Sequence, residues 1–272
     1  MVEISEVSNH SISLFSGGGI GDLGIQYGSK IPIIAFCEVD KNRQKLLREN
    51  YHNAKIFGDI SAEKKDIIAF AKKELHGKRP LMITMSPPCQ GMSTNGKGRL
   101  NKGDAKALKK VDEKNSLILP ALDIVNSLEP EIILIENVPQ MASTEILLRG
   151  KLENLLEIIK RRLKKYRLES VKMDFQDLGV SHKRSRLITV GIRKKNKSSK
   201  LIGKEMLVKW SESKVLPLPD KSIISDNSPL HLSNMIGHLS PIDNGVFDPE
   251  NPLHCSPKLN DWHKQIVSFT PE

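Results

Sequence analysis

Short apolar runs of strand length recur along the chain, and longer amphipathic stretches separate them. The runs are SISLF at 11–15, IPIIAFC at 31–37, LMITM at 81–85, EIILIE at 131–136 and SRLITVGIR at 185–193. The stretches between them, which include SLILPALDIVNSL and TEILLRGKLENLLEIIKRRLKKY, are helix-like. Strands that alternate with helices are typical of a doubly wound, mostly parallel sheet. The apolar runs agree, because parallel strands are covered on both faces. The sequence therefore predicts an α/β fold.

Length, charge and cysteine content narrow the class of protein. The chain has 272 residues, enough for one sizeable α/β core. Its formal net charge of +10 suits a polyanionic partner such as nucleic acid, although a generally lysine-rich proteome would give the same figure. The three cysteines, Cys37, Cys89 and Cys255, are too few and too dispersed for a disulfide framework or a CxxC metal site.

No apolar segment in the sequence is long enough to span a membrane, and the N-terminus lacks the basic and apolar pattern of a signal peptide. We therefore expect a cytoplasmic protein. Because the cysteines are dispersed, we also expect no bound metal. From about Lys194 onward, KKNKSSK and several prolines replace the regular alternation of apolar runs. We expect residues 1–195 to form the folded domain and residues 196–272 to begin with a linker.

A glycine cluster, LFSGGGIGDLG, follows the first apolar run and precedes a helix-like segment. Glycine permits a tight turn and a close approach of the backbone to a ligand, although a purely structural turn would use the same residues. No Gly-Lys-Ser/Thr follows, which argues against a phosphate-binding P-loop. Glu38 ends the second run, where a nucleoside-binding sheet places an acid for the ribose hydroxyls. Asp59, in FGDI at 57–60, follows a further short strand-like run and could accept a hydrogen bond from an adenine amino group. Because all three features lie at predicted strand ends, a nucleoside cofactor is favoured over solvated surface acids.

Pro87 and Pro88 stand between the LMITM run and Cys89. Each proline fixes its own φ angle, so the segment that carries the cysteine should be stiff. In an open α/β sheet, ligands and chemistry lie past the carboxyl ends of the strands, which favours a nucleophile at Cys89. The alternative for an isolated cysteine is a small buried side chain, and this description fits Cys37, inside an apolar run, better.

Charged residues lie at two further strand ends. Glu136 closes the EIILIE run, so we expect a partly desolvated carboxylate at the same edge of the sheet as Cys89. Arg184 and Arg186 lie just before or within the last run, and alternation along a strand would place their side chains on one face. They could hold a phosphate or a base carbonyl, or be exposed strand charges.

In this order, FSGGGIG, Glu38, GDI, PPCQG, ENVPQ and SHKRSR resemble the motifs of the DNA cytosine-5 methyltransferase family. DEKNSL, at residues 112–117, is similar to the segment that supplies that family's leucine beside the cofactor adenine. Amino-methylating DNA enzymes carry Asp/Asn-Pro-Pro-aromatic where this sequence has Ser86-Pro87-Pro88-Cys89, so carbon is the expected methyl acceptor. The resemblance covers about the first three-quarters of the chain. It implies a Rossmann-like, S-adenosylmethionine-dependent methyltransferase fold.

The resemblance also implies a site and a substrate. Its catalytic residues would be Cys89, Glu136, Arg184 and Arg186, acting on a cytosine flipped out of double-stranded DNA. Cys89 would add to C6 of the base, Glu136 would hold and protonate N3, and the arginines would grip the base carbonyl or a phosphate. The residues that the resemblance assigns to S-adenosylmethionine are Phe15, Ser16, Gly17, Gly19, Ile20, Glu38, Val39, Asp59, Ile60, Pro87 and Leu117.

The sequence departs from the family pattern in three places. The usual Gly-Gly pair of the cofactor loop is Gly19-Ile20, and the usual Pro-Gln before the arginines is Ser181-His182. The segments after Met235 are similar to the start of the family's target-recognition region, and its later motifs have no counterpart. We therefore expect one subunit of a split methyltransferase, completed by a second polypeptide, or a shortened form of a longer enzyme.

Two other functions remain open. A catalytically silent nucleic-acid-binding homologue would share the fold, but nothing would require it to keep Cys89, Glu136 and Arg186. An RNA cytosine-5 methyltransferase would share the motifs. The family resemblance implies a restriction–modification system as the usual setting of such an enzyme in bacteria.

Overall fold

The computed structural model of the chain describes residues 6–88, 114–148, 150–175 and 183–195. The chain divides into two compact units, Met1–Lys172 with Arg186–Leu207 and Met173–Ser185 with Val208–Glu272. Of the second unit, the structure describes residues 173–175 and 183–185. The fold below is therefore that of the first unit, and the expected linker at 196–272 lies outside the described residues.

The elements whose bounds lie within the described residues are as follows. The strands are β1 (Ser11–Leu14), β2 (Ile33–Cys37), β3 (Lys55–Phe57), β4 (Met82–Met85), β5 (Ile132–Asn137), β6 (Glu145–Leu148), β7 (Lys151–Asn154), β8 (Tyr166–Asp174) and β9 (Ser185–Arg193). The helices are α1 (Ile20–Ser29), α2 (Lys41–Asn50), α3 (Ile60–Glu74), α4 (Ile118–Leu128) and α5 (Leu155–Arg162), with a 3-10 helix at Pro139–Ser143.

Seven of these strands form one sheet in the order β3-β2-β1-β4-β5-β9-β8, and β6 and β7 pair separately. The strands from β1 to β5 run parallel to one another, whereas β9 pairs antiparallel with β5. The chain moves outward from β1 through β2 to β3, and it then returns to place β4 on the other side of β1. The α/β fold with a mostly parallel, doubly wound sheet is confirmed.

Side chains from β2 enter two separate hydrophobic clusters. Ala35 and Cys37 join the larger cluster, which also contains the inner residues of α3 and α4. Phe36 packs instead with Leu47 and Tyr51 of the α2 region in a smaller cluster. Successive side chains of a strand point to opposite faces, so both faces of β2 are covered. This explains why the predicted strands carry few polar residues.

One segment differs from the prediction. Residues 144–166 are helix-like in sequence, yet their first half forms the β6–β7 hairpin, and α5 begins at Leu155. Gly150 lies between the two strands with φ of 79°, a left-handed conformation that suits a turn and does not continue a helix. Ile146 is buried while the next residue, Leu147, is exposed, which is the period of a strand.

Within the described ranges, no helix combines the length and the apolar character that crossing a bilayer requires. In the same part of the chain, no group of three or more His, Cys, Asp or Glu side chains is placed to hold a metal ion.

Asp22, in the first turn of α1, is a buried carboxylate with 5% of its surface exposed. Thr84 of β4 donates a hydrogen bond to Asp22 Oδ1 at 3.5 Å, and Ser13 of β1 also hydrogen-bonds the carboxyl group. Burial outweighs these bonds and raises the pKa of Asp22 from its ordinary 3.8 to about 6. The folded protein therefore binds this proton more tightly than the unfolded chain does. As a consequence, stability is lost as the pH rises from about 4 to about 6.

We expect Asp22→Asn to raise the free energy of unfolding by about 1–3 kcal/mol at neutral pH, because an amide carries no charge to desolvate. The gain should shrink below about pH 6 and vanish below about pH 4, where Asp22 is protonated in both states. Urea denaturation across this pH range measures the difference. Asp66→Asn removes the same charge from an exposed position of α3 and should give no such gain. An equal gain in both variants would contradict the assignment to burial.

Candidate active site

Three residues of the loop after β1 have left-handed backbone conformations. In residues 15–19, called here the glycine loop, φ is 59° at Phe15, 57° at Gly17 and 79° at Gly19. Glycine adopts these angles freely, whereas at Phe15 the conformation is strained. A side chain at Gly19 would also collide with its surroundings, because a Cβ atom there would lie 2.6 Å from the Tyr51 ring. The loop therefore requires glycine at this position on both grounds.

Glu38, directly after β2, holds the glycine loop. Its Oε2 accepts a hydrogen bond from the Gly17 amide at 2.8 Å, and its Oε1 accepts one from the Asp40 amide at 2.9 Å. The side chain is buried, and Arg43 Nη1 lies 3.9 Å from Oε2. An ionised carboxylate offers about four acceptor positions, so about two remain for the hydroxyl groups of a ligand.

A pocket of about 380 Å³ opens past the carboxyl ends of β1, β2, β3 and β4. This volume lies within the range of small-molecule sites. Of the residues assigned to the cofactor from sequence, those that line it are Phe15, Glu38, Val39, Asp59, Ile60 and Leu117. The assigned residues outside the lining are Ser16, Gly17 and Gly19 of the glycine loop, Ile20 at the start of α1, and Pro87.

Seven lining residues were not assigned from the sequence. They are Cys37, Asp40, Arg43, Gly58, Ser86, Pro88 and Lys114. A sequence signal existed for Asp40, because an aspartate followed by a helical pattern predicts an N-cap. Asp40 does cap α2, accepting hydrogen bonds from the Asn42 and Arg43 amides. Arg43 and Lys114 add positive charge to the pocket wall, for which the sequence alone offered no signal.

Two lining residues also have structural roles. Asp59 caps α3, with its Oδ1 accepting the Ser61 amide at 2.7 Å. The thiol of Cys37 donates to the Gly58 carbonyl at 3.3 Å and is buried. Burial, reinforced by nearby carboxylates, raises the pKa of Cys37 to about 12. A thiol with this pKa stays protonated at neutral pH, so Cys37 is a core residue and not a nucleophile.

Asn137, the last residue of β5, holds the segment that precedes Cys89. Its Nδ2 donates to the Pro87 carbonyl at 3.1 Å, and its Oδ1 accepts the Val138 amide at 2.8 Å. Asn137 is almost fully buried. The sequence prediction gave it no role, although it stands within the ENVPQ motif. Cys89 itself lies outside the described residues.

Glu136 and Arg186 form a close ion pair. Arg186 Nε donates to Glu136 Oε1 at 2.6 Å, and the side chains are 17% and 31% exposed, respectively. The Glu136 carboxylate is therefore partly desolvated, as its position at the end of an apolar run predicts. The antiparallel pairing of β9 with β5 brings the two residues together, since Ile188 pairs with Glu136 in the register.

Arg184 lies outside β9, which begins at Ser185. This is one of the two placements that the sequence predicted, and a shared face for the side chains of Arg184 and Arg186 stays a prediction. The described bonds of Arg184 involve its main chain: its amide donates to Asp174 Oδ1 at 3.2 Å, and its carbonyl accepts the Phe175 amide at 3.0 Å.

Comparisons with known proteins agree with the fold and the motifs. The family described as C-5 cytosine-specific DNA methylase matches residues 10–240. The chain is 33% identical over 181 residues to the Type II methyltransferase M1.HgaI of Avibacterium volantium. That match covers 65% of this chain and 48% of the relative, so the chain spans about half the length of the curated relative.

Two crystal structures share the fold. One is an E. coli prophage-encoded protein described as a candidate DNA modification methyltransferase (TM-score 0.53, 22% identity, 69% of this chain and 47% of that one). The other is the S. pombe Dnmt2 methyltransferase (TM-score 0.53, 17% identity, 86% of this chain and 59% of that one). The fold and the strand-end motifs are those of the methyltransferase class. The chain belongs to the C-5 cytosine-specific DNA methylase family.

We expect Asn137→Ala to lower the free energy of unfolding by about 1–3 kcal/mol, because the Pro87 carbonyl and the Val138 amide would lose their buried partner. Chemical denaturation measures this loss. Asn126→Ala is a matched control: Asn126 is exposed, and its Nδ2 donates to the Arg162 carbonyl at 3.2 Å. Its cost should stay within about 0.5 kcal/mol. Similar costs for the two variants would show that Asn137 does not fix the Pro87 segment.

Proposed function

We propose that the protein transfers a methyl group from S-adenosylmethionine to C5 of a cytosine in double-stranded DNA. One observation carries the proposal: Ser86 and Pro88 line the pocket, and the residue that follows Pro88 in the sequence is Cys89. A cofactor in this pocket would therefore lie next to the segment that bears the proposed nucleophile. Membership of the C-5 cytosine-specific DNA methylase family supports the same reaction.

The lining residues fit S-adenosylmethionine. Glu38 keeps acceptor positions for the two ribose hydroxyls, and Asp59 offers a carboxylate for the adenine amino group. Phe15, Ile60 and Leu117 give apolar surface suited to the adenine ring. When bound, S-adenosylmethionine supplies an activated methyl group on its sulfonium sulfur.

The proposed roles of the remaining residues follow from their chemistry. The target cytosine leaves the base stack, because C5 and C6 cannot be attacked within the duplex. The Cys89 thiolate adds to C6 and makes C5 nucleophilic, while Glu136 holds N3 of the base and delivers a proton to it. Arg186 orients Glu136 through the 2.6 Å contact, and Arg184 binds the base carbonyl or a phosphate. Once C5 carries the methyl group, the C5 proton passes to solvent, the Cys89 thiolate leaves C6 and the N3 proton returns to Glu136, which releases 5-methylcytosine.

The setting we propose is a restriction–modification system in the cytoplasm, in line with the Type II methyltransferase to which the chain is similar. The excess of positive charge, +10, would neutralise DNA phosphates around the flipped base. Methyl transfer to RNA alone, or binding to DNA without methyl transfer, would contradict the proposal and favour one of the two other functions.

We expect Cys89→Ala to reduce methyl transfer to cytosine-containing DNA by about four orders of magnitude or more, because the covalent step is lost. Binding of S-adenosylmethionine should remain, since the pocket residues are unchanged. Transfer of a radiolabelled methyl group and calorimetric titration measure the two quantities. Cys255→Ala, which removes the thiol that no proposed step uses, should keep both. Methyl transfer by Cys89→Ala at the normal rate would overturn the mechanism.

We also propose that a second subunit carries the target-recognition region, with residues 1–195 as the catalytic domain and 196–272 as the linker and the start of that region. An exposed apolar surface beside the pocket supports this. Ile20, Leu23 and Tyr27 recur at helical spacing along α1, and Ile20 is 81% exposed. Val39, which lines the pocket, and Leu46 of α2 are exposed as well. Exposed apolar side chains at helical spacing are typical of a protein interface.

The candidate partner is the product of a neighbouring reading frame that encodes the family's C-terminal motifs. We expect it to raise methyl transfer by this chain at least about tenfold, and Leu23→Lys with Tyr27→Lys to abolish that increase, because buried charges would oppose docking. Leu152→Lys, at an exposed leucine of the β6–β7 hairpin, is the control and should leave the increase intact. Full activity of the chain alone, unaffected by the lysines, would contradict a second subunit.

A further inference from the structure

Tyr51, at the C-terminal end of α2, contacts the glycine loop through its side chain. Its hydroxyl donates a hydrogen bond to the Gly19 carbonyl at 2.7 Å. Its ring lies where a Cβ atom on Gly19 would stand, at 2.6 Å, and Leu47 of the same helix approaches that position to 2.8 Å. The ring also packs against Phe36 of β2, with centroids 4.5 Å apart. Tyr51 is therefore rigidly held by the core and bound to the loop at the same time.

The other end of α2 is bound to the same loop. Glu38, whose Oε1 accepts the amide of the N-cap residue Asp40, accepts the Gly17 amide with Oε2. Glu38, two residues before the N-cap, thus accepts a hydrogen bond from a loop amide, and Tyr51, the C-cap residue, donates one to a loop carbonyl. The ten residues of α2 therefore connect two side chains that contact the loop two positions apart, at Gly17 and Gly19, and the helix acts as a brace for the loop.

The glycine loop needs such a brace. Its left-handed residues at 15, 17 and 19 alternate along the chain, and left-handed residues of this kind persist where the surroundings over-determine them. Phe15, the strained member, is itself a residue of the pocket wall. A loop free to relax would move this wall, and a cofactor would then have to order it again on binding, at a cost in affinity.

We infer that Tyr51 is a positioning residue for the cofactor: its hydroxyl fixes the glycine loop in the conformation that binds the nucleoside, without touching the ligand. This inference rests on the proposed function, since it assigns the nucleoside to the pocket beside Glu38. Tyr51 is absent from the described lining of that pocket, so its effect passes through Gly19.

The test is Tyr51→Phe, which removes the hydroxyl group and keeps the ring. S-adenosylmethionine and its demethylated product, S-adenosylhomocysteine, are titrated calorimetrically into the full chain. We expect both dissociation constants to rise about three- to tenfold, the loss of one hydrogen bond. In methyl transfer, KM for S-adenosylmethionine should rise while kcat at saturation stays unchanged, because the bond is present before and during the reaction.

Tyr166→Phe is the matched control. The Tyr166 hydroxyl is also buried and also donates to a main-chain carbonyl, that of Pro130, at 2.8 Å. Both variants should lose similar thermal stability, so a weakening that came from stability alone would appear in both. We expect it in Tyr51→Phe alone.

The outcomes separate this inference from the proposed function. If the unmodified chain binds neither compound, the proposed cofactor site is overturned, and the proposed role of Tyr51 is overturned with it. If the unmodified chain binds and Tyr51→Phe binds equally well, the inference alone is overturned. Equal weakening in Tyr51→Phe and Tyr166→Phe would also overturn it, because the effect would then be one of general stability.

Discussion

The hydrogen bond from the Gly17 amide to the buried Glu38 carboxylate connects the backbone of the first strand-end loop to the second. It satisfies part of a carboxylate that burial would otherwise penalise, and it holds a loop whose backbone is left-handed at three positions. The same carboxylate lines the pocket, and its remaining acceptor positions suit the ribose hydroxyls that we propose it binds. One side chain thereby shapes the wall of the pocket and supplies its most specific polar group.

Much of this arrangement could be predicted from the sequence, because it depends on local patterns. The apolar runs that become β2 and β4 are covered on both faces, so the sequence shows them as nearly unbroken apolar segments. The glycine cluster and Glu38 stand at strand ends, and a parallel sheet brings its strand ends to one edge. Six of the assigned cofactor residues line the pocket for this reason.

The rest depends on contacts between residues far apart in the chain. The Tyr51 hydroxyl meets Gly19, which lies 32 residues earlier, and Asn137 reaches Pro87 across 50 residues. The spacing of residues within one segment does not predict such pairs. The β6–β7 hairpin was missed for a different reason: its leucines and isoleucine fit a helical stripe as well as a strand, and only Gly150 separates the two readings.

The strand order explains how the pocket comes to lie beside the segment that leads to Cys89. The chain leaves β1 in one direction, toward β2 and β3, and later returns to add β4 and β5 on the other side. Connections that diverge from neighbouring strands leave a crevice at their carboxyl ends, between β1 and β4 here. Phe15, Glu38 and Asp59 follow strands of the first group, whereas Ser86 and Pro88 follow β4. Asn137 extends the second group by holding Pro87 from β5. The fold thus separates the residues suited to hold a nucleoside from those that lead to the proposed nucleophile, and Pro88 belongs to both the pocket wall and that segment.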